Sequence, residues 1–314
     1  MDDKIYVLVT MDVEPALPAD RPEAATGPLN YSDSERFIRG YTAIAGEFGF
    51  PVTFLIHPEA AVAHPDLMLE LEAEGACLGL HIHPWKFADG HYKAHFGGLT
   101  AEQQTAILSE ASAIWYSALG KRPLYFRPGT FSANDTTMPV LDRLGFLGGS
   151  ISLPGRVYPD MNAVWAGTEM DPHRAHAAFR QVKGDLDFVN IPLSVDASGV
   201  ENRNGRLFHW DLRPDWQSAD YRKIAGNIVE QVVARAPAVP VIQMVTHNDH
   251  DYMDPDDRVC RNYRTVLEEI TGACQRAGKT PVGATFETIV DLFRERKIGT
   301  SEDFVYAHAS MLTG

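Results

Sequence analysis

The chain has 314 residues, of which 45% are hydrophobic and 22% charged, an ordinary globular composition with ample material for a core. Its formal net charge of −14 argues against nucleic acid or an anionic membrane surface as the main partner, because both would repel it. No apolar run in the sequence approaches the roughly eighteen residues needed to span a bilayer, which argues against membrane insertion.

The N-terminal sequence has no secretory pattern. Lys4 leads directly into an apolar, β-branched run, without a basic region, a long apolar stretch and a small-residue cleavage site. The three cysteines, Cys77, Cys260 and Cys274, are far apart and have no Cys-x-x-Cys spacing, which is typical of free thiols in a reducing compartment. We therefore expect a cytoplasmic protein.

Strand-like and helix-like segments alternate along almost the whole chain. The apolar patterns predict strands at 4–11, 51–57, 77–83, 124–127, 146–152, 187–194 and 239–246. Helical periodicity and capping residues predict helices at 33–48, 65–75, 100–119, 134–144, 217–235 and 258–277, and a last strand-to-helix unit at 281–296. Residues 153–185 are rich in Pro, Gly, Asp and His and have no clear period, so they are predicted to form an insertion loop over one face.

This alternation predicts the α/β class, with a mainly parallel sheet wrapped by helices. Both Gly-x-Gly-x-x-Gly and Walker-type loops are absent from the sequence, which favours a closed or nearly closed (β/α) barrel over an open doubly wound sheet. No repeat, linker or composition shift marks a boundary, so we expect a single domain over residues 1–314. The functional site of such a barrel lies at the carboxyl ends of its strands.

Two histidines end the predicted third strand. Because successive side chains of a strand alternate between faces, His81 and His83 point the same way and Ile82 points to the other side. Pro84 then ends the strand, since proline has no N–H to donate. Two imidazoles on one face can form half of a metal site, although paired histidines can also be ordinary hydrogen-bonded interior groups.

Polar residues end three other strands in the same way. Asp12 and Glu14 follow the first strand and share a face, Arg127 ends the strand at 124–127, and His247 follows the strand at 239–246. Because these strand ends should converge, the side chains predict a catalytic site rather than scattered surface groups.

The sequence resembles the NodB-type polysaccharide deacetylases of carbohydrate esterase family four. The resemblance is carried by Asp12-x-Glu14, by the run from Gly79 to Trp85, by Phe126-Arg127-Pro128-Gly129, and by the late strand that ends in His247. It implies a distorted (β/α) barrel, often of seven strands, and removal of acyl groups from amino sugars by metal-assisted hydrolysis.

The sequence also departs from the family pattern. Two adjacent aspartates are usual at the first motif, whereas this chain has Asp12-Val13-Glu14, and the second motif usually has three residues between its histidines instead of one. The fourth motif has no clear counterpart, although Asp211-Leu212-Arg213-Pro214-Asp215-Trp216 is a candidate. These departures indicate a divergent branch.

The resemblance implies a role for each residue. His81, His83 and one carboxylate would bind a divalent ion, which lowers the pKa of its water toward about 7 and polarises the acyl carbonyl. Asp12 is assigned as general base and Glu14 as ligand, but the two roles could be exchanged, or both could bind the metal. Arg127 would keep the base ionised, and His247 would protonate the leaving amine.

Zinc is the expected ion, with cobalt, nickel or iron as alternatives, because two histidines and a carboxylate accept all four. The expected substrate is an N-acylated amino sugar or a related small glycoconjugate. Two alternatives remain open: an amidohydrolase acting on a non-sugar or cyclic amide, and a non-catalytic barrel in glycan assembly. The oligomeric state is not readable from the sequence.

Several other polar and aromatic residues are weaker candidates. For each of them a structural role is the simpler interpretation. These residues are His57, Trp85, Tyr158, Trp165, His173, His176, Trp210, Asp249, His250 and Asp251.

Overall fold

The fold was analysed in a computed structural model, which describes residues 3–17 and 26–300. Thirteen strands lie in these residues: β1 Lys4–Val13, β2 Val52–Ile56, β3 Cys77–Ile82, β4 Tyr125–Pro128, β5 Gly148–Gly149, β6 Val157–Tyr158, β7 Ala163–Val164, β8 His173–Arg174, β9 Val189–Asn190, β10 Val195–Arg203, β11 Arg206–Asp211, β12 Val241–His247 and β13 Thr280–Gly283. The α-helices of the same residues are α1 Tyr31–Glu47, α2 Pro58–Ala63, α3 Pro65–Ala73, α4 Ala101–Leu119, α5 Thr137–Arg143, α6 Tyr221–Arg235, α7 Arg258–Arg276 and α8 Phe286–Glu295.

The main sheet is curled and largely parallel. Its order is β12-β1-β2-β3-β4-β5-β9-β8, and β13 pairs with the first half of β1. The strands from β12 to β9 are parallel, and only β8 runs antiparallel to its neighbour. Ser194, just after β9, donates its backbone N–H to the Gln243 carbonyl of β12 over 3.4 Å, so the two ends of the parallel series approach each other. The predicted α/β fold with a distorted (β/α) barrel is therefore confirmed.

The core explains why the first strand is central. Residues 5–13 of β1 are all buried, because the strand pairs on both edges and is covered on both faces. Such a strand is a continuous apolar run in sequence, as parallel strands packed on both faces usually are. Helix α1 begins at Tyr31, since the side chain of Asn30 accepts a hydrogen bond from Asp33 N at 2.8 Å.

The predicted elements are mostly present, and their ends differ for identifiable reasons. Strand β1 continues two residues beyond its predicted end because Asp12 still pairs with His247 of β12. Helix α6 begins at Tyr221 rather than 217, since Asp220 caps it by accepting from Lys223 N. The predicted strands at 146–152 and 187–194 shorten to the two-residue strands β5 and β9.

The region predicted as an irregular insertion loop contains short strands. Strands β6, β7 and β8 lie within residues 153–185, and β6 and β7 join a second sheet of order β10-β11-β6-β7. The β10–β11 hairpin of this sheet was not predicted, although Asn204-Gly205 between the strands is a typical hairpin turn. In the part of the chain that the structure describes, no helix combines the length and the apolarity needed to cross a membrane.

Candidate active site

The carboxyl ends of β1 and β3 bring three metal-ligand side chains together. Ligand atoms of Glu14, His81 and His83 all lie within 4.8 Å of one another. Glu14 Oε1 is 3.3 Å from His81 Nε2 and 3.0 Å from His83 Nε2. The two imidazoles face the same carboxylate oxygen, as the alternation of side chains along β3 predicts.

A backbone hydrogen bond orients the His81 ring. Its Nδ1 donates to the backbone carbonyl of Arg127 over 2.9 Å, which leaves Nε2 as the ring nitrogen that faces Glu14. Metal-binding histidines commonly fix their tautomer through such a bond. Burial favours the neutral ring, but the carboxylates of Asp12 and Glu14 outweigh it and raise the His81 pKa.

His83 is held mainly by packing. Its ring lies against Gly129, where an added Cβ would come within 2.3 Å of His83 Nδ1. Burial lowers the pKa of His83 to about 3 despite the nearby Glu14, so the ring is neutral and can donate a lone pair. Glycine at position 129 is therefore required by close approach rather than by backbone conformation.

Glu14 is fully buried and bonded on every side. Lys86 Nζ donates to Glu14 Oε2 at 2.9 Å and also to the Thr26 carbonyl. Burial opposes the ionised form, but interactions with the His83 imidazole, the Lys86 ammonium group and the His81 imidazole keep the Glu14 pKa well below its ordinary value. Asn248 fixes its backbone, accepting from Glu14 N at 2.8 Å and donating to Glu14 O at 3.1 Å.

A second carboxylate lies beside this group in an ion pair. Arg127 is fully buried and donates from Nη1 to Asp12 Oδ1 at 2.6 Å, while its Nη2 donates to Thr10 Oγ1 at 2.9 Å. Burial opposes ionisation of Asp12, but Arg127, His81 and His247 together lower its pKa. Asp12 is not a member of the close group of ligand atoms formed by Glu14, His81 and His83.

His247 lies at the end of β12, opposite Asp12 in the β1–β12 register. It is half-buried, and within the described ranges no hydrogen bond to its imidazole is found; only its backbone carbonyl accepts from Tyr252 Oη. The six residues predicted for the site, which are Asp12, Glu14, His81, His83, Arg127 and His247, thus lie at neighbouring strand ends.

The candidate fourth motif is placed elsewhere. Asp211 is held by Arg213, whose Nε and Nη2 both donate to it, and by Trp216 Nε1 at 2.9 Å. Asp251 pairs with Arg36, and Asp249 lies 3.7 Å from His250. These contacts give the acidic residues structural partners other than His247.

The weaker sequence candidates have local roles. His57 pairs with Glu59, and His173 donates from Nδ1 to the Asp171 carbonyl. His176 Nδ1 accepts from the backbone of Ala178, so the two loop histidines are not joined in a ligand group among the described residues. Trp165 is buried and donates to the Phe131 carbonyl, as expected of an interior residue.

Lys86, Asn248 and Gly129 contact the site and were not predicted. Lys86 stands three residues after His83, and Asn248 follows His247 directly. Their position next to predicted site residues is the one signal in the sequence that could have found them.

Residues 29–148 match the sequence model of the polysaccharide deacetylase family. Over these residues the chain is similar to that family. The predicted resemblance to polysaccharide deacetylases, and the hydrolase class acting on amide bonds that it implies, are thereby confirmed.

Three solved structures extend the likeness in fold over nearly the whole chain. A putative polysaccharide deacetylase from Mycobacterium smegmatis is 17% identical, with a TM-score of 0.57 and coverage of 95% of this chain and 93% of that chain. A putative glycoside hydrolase/deacetylase from Parabacteroides distasonis is 13% identical, with a TM-score of 0.61 and coverage of 94% and 72%. Puue allantoinase is 13% identical, with a TM-score of 0.56 and coverage of 94% and 91%. No curated protein matches this sequence.

Proposed function

We propose that this polysaccharide deacetylase relative removes an N-acyl group, with acetyl as the expected one, from an amino sugar or a related small glycoconjugate. The observation that carries the proposal is the group of Glu14, His81 and His83 ligand atoms beside the Asp12–Arg127 ion pair. The match of residues 29–148 to the polysaccharide deacetylase model supports the type of reaction.

The donor set fits a divalent ion. Two imidazole nitrogens and one carboxylate oxygen face a common point, and one hydrogen bond already orients the His81 ring through its other nitrogen. Zinc is the expected ion, and cobalt, nickel or iron suit the same donors. Bound there, the ion would lower the pKa of water and polarise the acyl carbonyl.

The remaining residues would move the protons. Asp12 is the proposed general base because its pKa is lowered and Arg127 keeps it ionised and oriented. Glu14 is the proposed ligand because its Oε1 faces both histidines. His247 is the proposed general acid, which gives a proton to the amine nitrogen as the C–N bond breaks.

Acetate release from N-acetylglucosamine and its short oligomers by the zinc-loaded protein tests the proposal. We expect release by the wild type and loss of at least about a hundredfold in Asp12→Asn. Absence of release from every acylated sugar, or full activity in His83→Ala, would contradict it.

A second candidate keeps the residues and changes the substrate to a non-sugar or cyclic amide. Lys86 favours this candidate. Its ammonium group already neutralises the charge of the Glu14 carboxylate, so the proposed metal site is not purely anionic. The fold shared with Puue allantoinase makes allantoin a suitable probe. Turnover of allantoin, without acetate release from sugars, would favour this reading.

We also propose a cytoplasmic location. The cysteines Cys77, Cys260 and Cys274 are all buried and free, which fits a reducing compartment. Fractionation of the native host with an antibody to the chain would test this location.

A further inference from the structure

The second sheet carries a cavity that the proposed reaction does not use. The cavity has a volume of about 720 Å³, within the range of small-molecule sites. It lies between the β10–β11 hairpin and β6. We call it the arginine pocket and define it by the lining residues Tyr158, Asp160, Arg203, Arg206, Phe208 and Trp216.

One arginine of the pocket has aromatic contacts but no carboxylate partner. The guanidinium of Arg203 lies 5.8 Å from the ring centre of Phe208 and 5.9 Å from that of Trp216. No salt bridge to Arg203 is found in residues 3–17 and 26–300, whereas Arg206 pairs with Asp160. Arg203 is exposed, so a ligand can reach its charge, and the rings of Phe208 and Trp216 lie beside its guanidinium.

A second arginine, for which no salt bridge is found among the described residues, packs against the pocket residue Tyr158. Arg156 is only 7% exposed, and its guanidinium stacks on Tyr158 at 4.7 Å and on Phe131 at 5.5 Å. Its Nη1 donates to the Thr130 carbonyl, but its Nε has no hydrogen-bond partner in the described part of the chain. A buried charge without a counterion is costly, so an anion nearby would stabilise it.

The arginines around Arg156 strengthen this argument. Asp211, a carboxylate whose charge acts on Arg156, is already held by two donors of Arg213. Burial and the charge of Arg213 lower the Arg156 pKa to about 10. The net charge of the whole chain is −14, so this cationic group is a local exception rather than a general surface property.

The pocket adjoins the candidate active site through one loop. Gly129 packs against the His83 ring, and Thr130, the next residue, accepts the hydrogen bond from Arg156. Phe131 lies 5.5 Å from the guanidinium of Arg127 and 5.5 Å from that of Arg156. Residues 129–131 therefore connect the His83 ring to Arg156, which lies against the pocket residue Tyr158.

We propose that the arginine pocket binds an anionic sugar unit, one that bears a carboxylate or a phosphate, of the acylated substrate. The inference rests on the proposed function and narrows its substrate class. Tyr158 and Trp216 would pack against the sugar ring, and Arg203 would pair with the anionic group. The buried charge of Arg156, which lies against Tyr158, would add to the attraction.

Calorimetric titration of the full-length protein tests this pocket without any catalytic readout. The probes are glucuronate, glucose 6-phosphate and glucose. We expect at least one of the two anionic sugars to bind at least tenfold more tightly than glucose, with affinity that falls as salt is added. The glucuronate and phosphate titrations distinguish which anion is preferred, and equal binding of all three sugars would overturn the proposal.

Variants locate the binding. Arg203→Gln should weaken the preferred anionic sugar about tenfold and leave glucose unchanged. Arg264→Gln, which removes an exposed arginine paired with Glu47 away from the pocket, should change neither. Unaltered binding of the anionic sugar by Arg203→Gln would also overturn the proposal.

Arg156 is buried, so two replacements separate its charge from its folding role. Arg156→Lys keeps the charge and should retain more of the anionic-sugar affinity than Arg156→Gln, and thermal unfolding shows whether each variant is folded. If Arg156→Gln is unfolded, the Arg203→Gln result decides. If the protein binds the anionic sugar but releases no acetate, the proposed function alone is contradicted. If it releases acetate but does not prefer the anionic sugar, the proposed pocket alone is contradicted.

Discussion

Lys86 Nζ lies 2.9 Å from Glu14 Oε2, while the other oxygen of the same carboxylate lies 3.0 Å from His83 Nε2. One carboxylate is thus shared between an ammonium group and the proposed metal ligands. Lys86 is only 7% exposed, so solvent screens this charge less than it would on the surface. The lysine both neutralises Glu14 and places a positive charge next to the proposed ion position.

We expect Lys86→Met to raise the affinity of the metal-free protein for zinc at least about tenfold. Repulsion between an ammonium group and a divalent ion about 4 Å apart is about 2 kcal/mol even at the dielectric constant of water, and about 1.4 kcal/mol corresponds to tenfold. Competition with a chromophoric chelator measures the affinity. Lys223→Met, at an exposed position of α6, is the matched control. Weaker zinc binding by Lys86→Met would instead make Lys86 a residue that positions Glu14.

We expect Arg127→Met to move the acidic limb of the activity profile to higher pH. Arg127 helps to hold the pKa of Asp12 below its ordinary value, and a general base works only while ionised. Activity is lost as the pH falls through the pKa of the folded state, so raising that pKa brings the loss on earlier. The dependence of kcat/KM on pH measures the limb, with Arg264→Met as control. An unchanged limb would remove Asp12 from the role of base.

The same change should lower the free energy of unfolding. Arg127 and Asp12 form a buried ion pair, and removing one partner of such a pair typically costs about 3–5 kcal/mol because the other charge remains buried and unpaired. Below the folded-state pKa of Asp12, protonation removes the carboxylate charge in the wild type as well. The ion pair is then absent from both proteins, so the difference between their free energies of unfolding should shrink in strong acid. Urea unfolding at several pH values measures both effects. A pH-independent difference would mean that packing, not charge, accounts for the loss.

The sequence predicts those features of the site that arise from residues close together in the chain. The common face of His81 and His83 follows from strand alternation alone, and both rings do face Glu14. The roles of Lys86 and Asn248 depend on contacts with Glu14 across 72 and 234 positions of the chain, which no local pattern encodes. The fold was predictable because parallel strands buried on both faces are continuous apolar runs in the sequence, whereas β5 and β9 are too short to show such a run.

We expect Gly129→Ala to weaken zinc binding and activity together. The added Cβ would come within 2.3 Å of the His83 ring, which is too close, and the buried ring must move. Gly226→Ala is the matched control, because its Cβ would meet no atom within 4 Å in helix α6, and the change should stabilise the protein by up to about 1 kcal/mol. Chelator competition and thermal unfolding measure both variants. Normal zinc affinity in Gly129→Ala would show that zinc binding does not depend on the present position of the His83 ring.

We expect the effect of His247→Gln to depend on the leaving group. If the imidazole protonates the departing amine, its loss should lower the rate of amide hydrolysis about 10²–10⁴-fold, since an unprotonated amine leaves poorly. An ester such as 4-nitrophenyl acetate has a leaving group that needs no proton, so its hydrolysis should fall far less. The change should leave zinc affinity near that of the wild type, because His247 is outside the Glu14, His81 and His83 group of the described residues. Parallel measurement of kcat/KM on N-acetylglucosamine oligomers and on the ester separates the two effects. An equal loss on both substrates would assign His247 to binding or positioning instead of proton transfer.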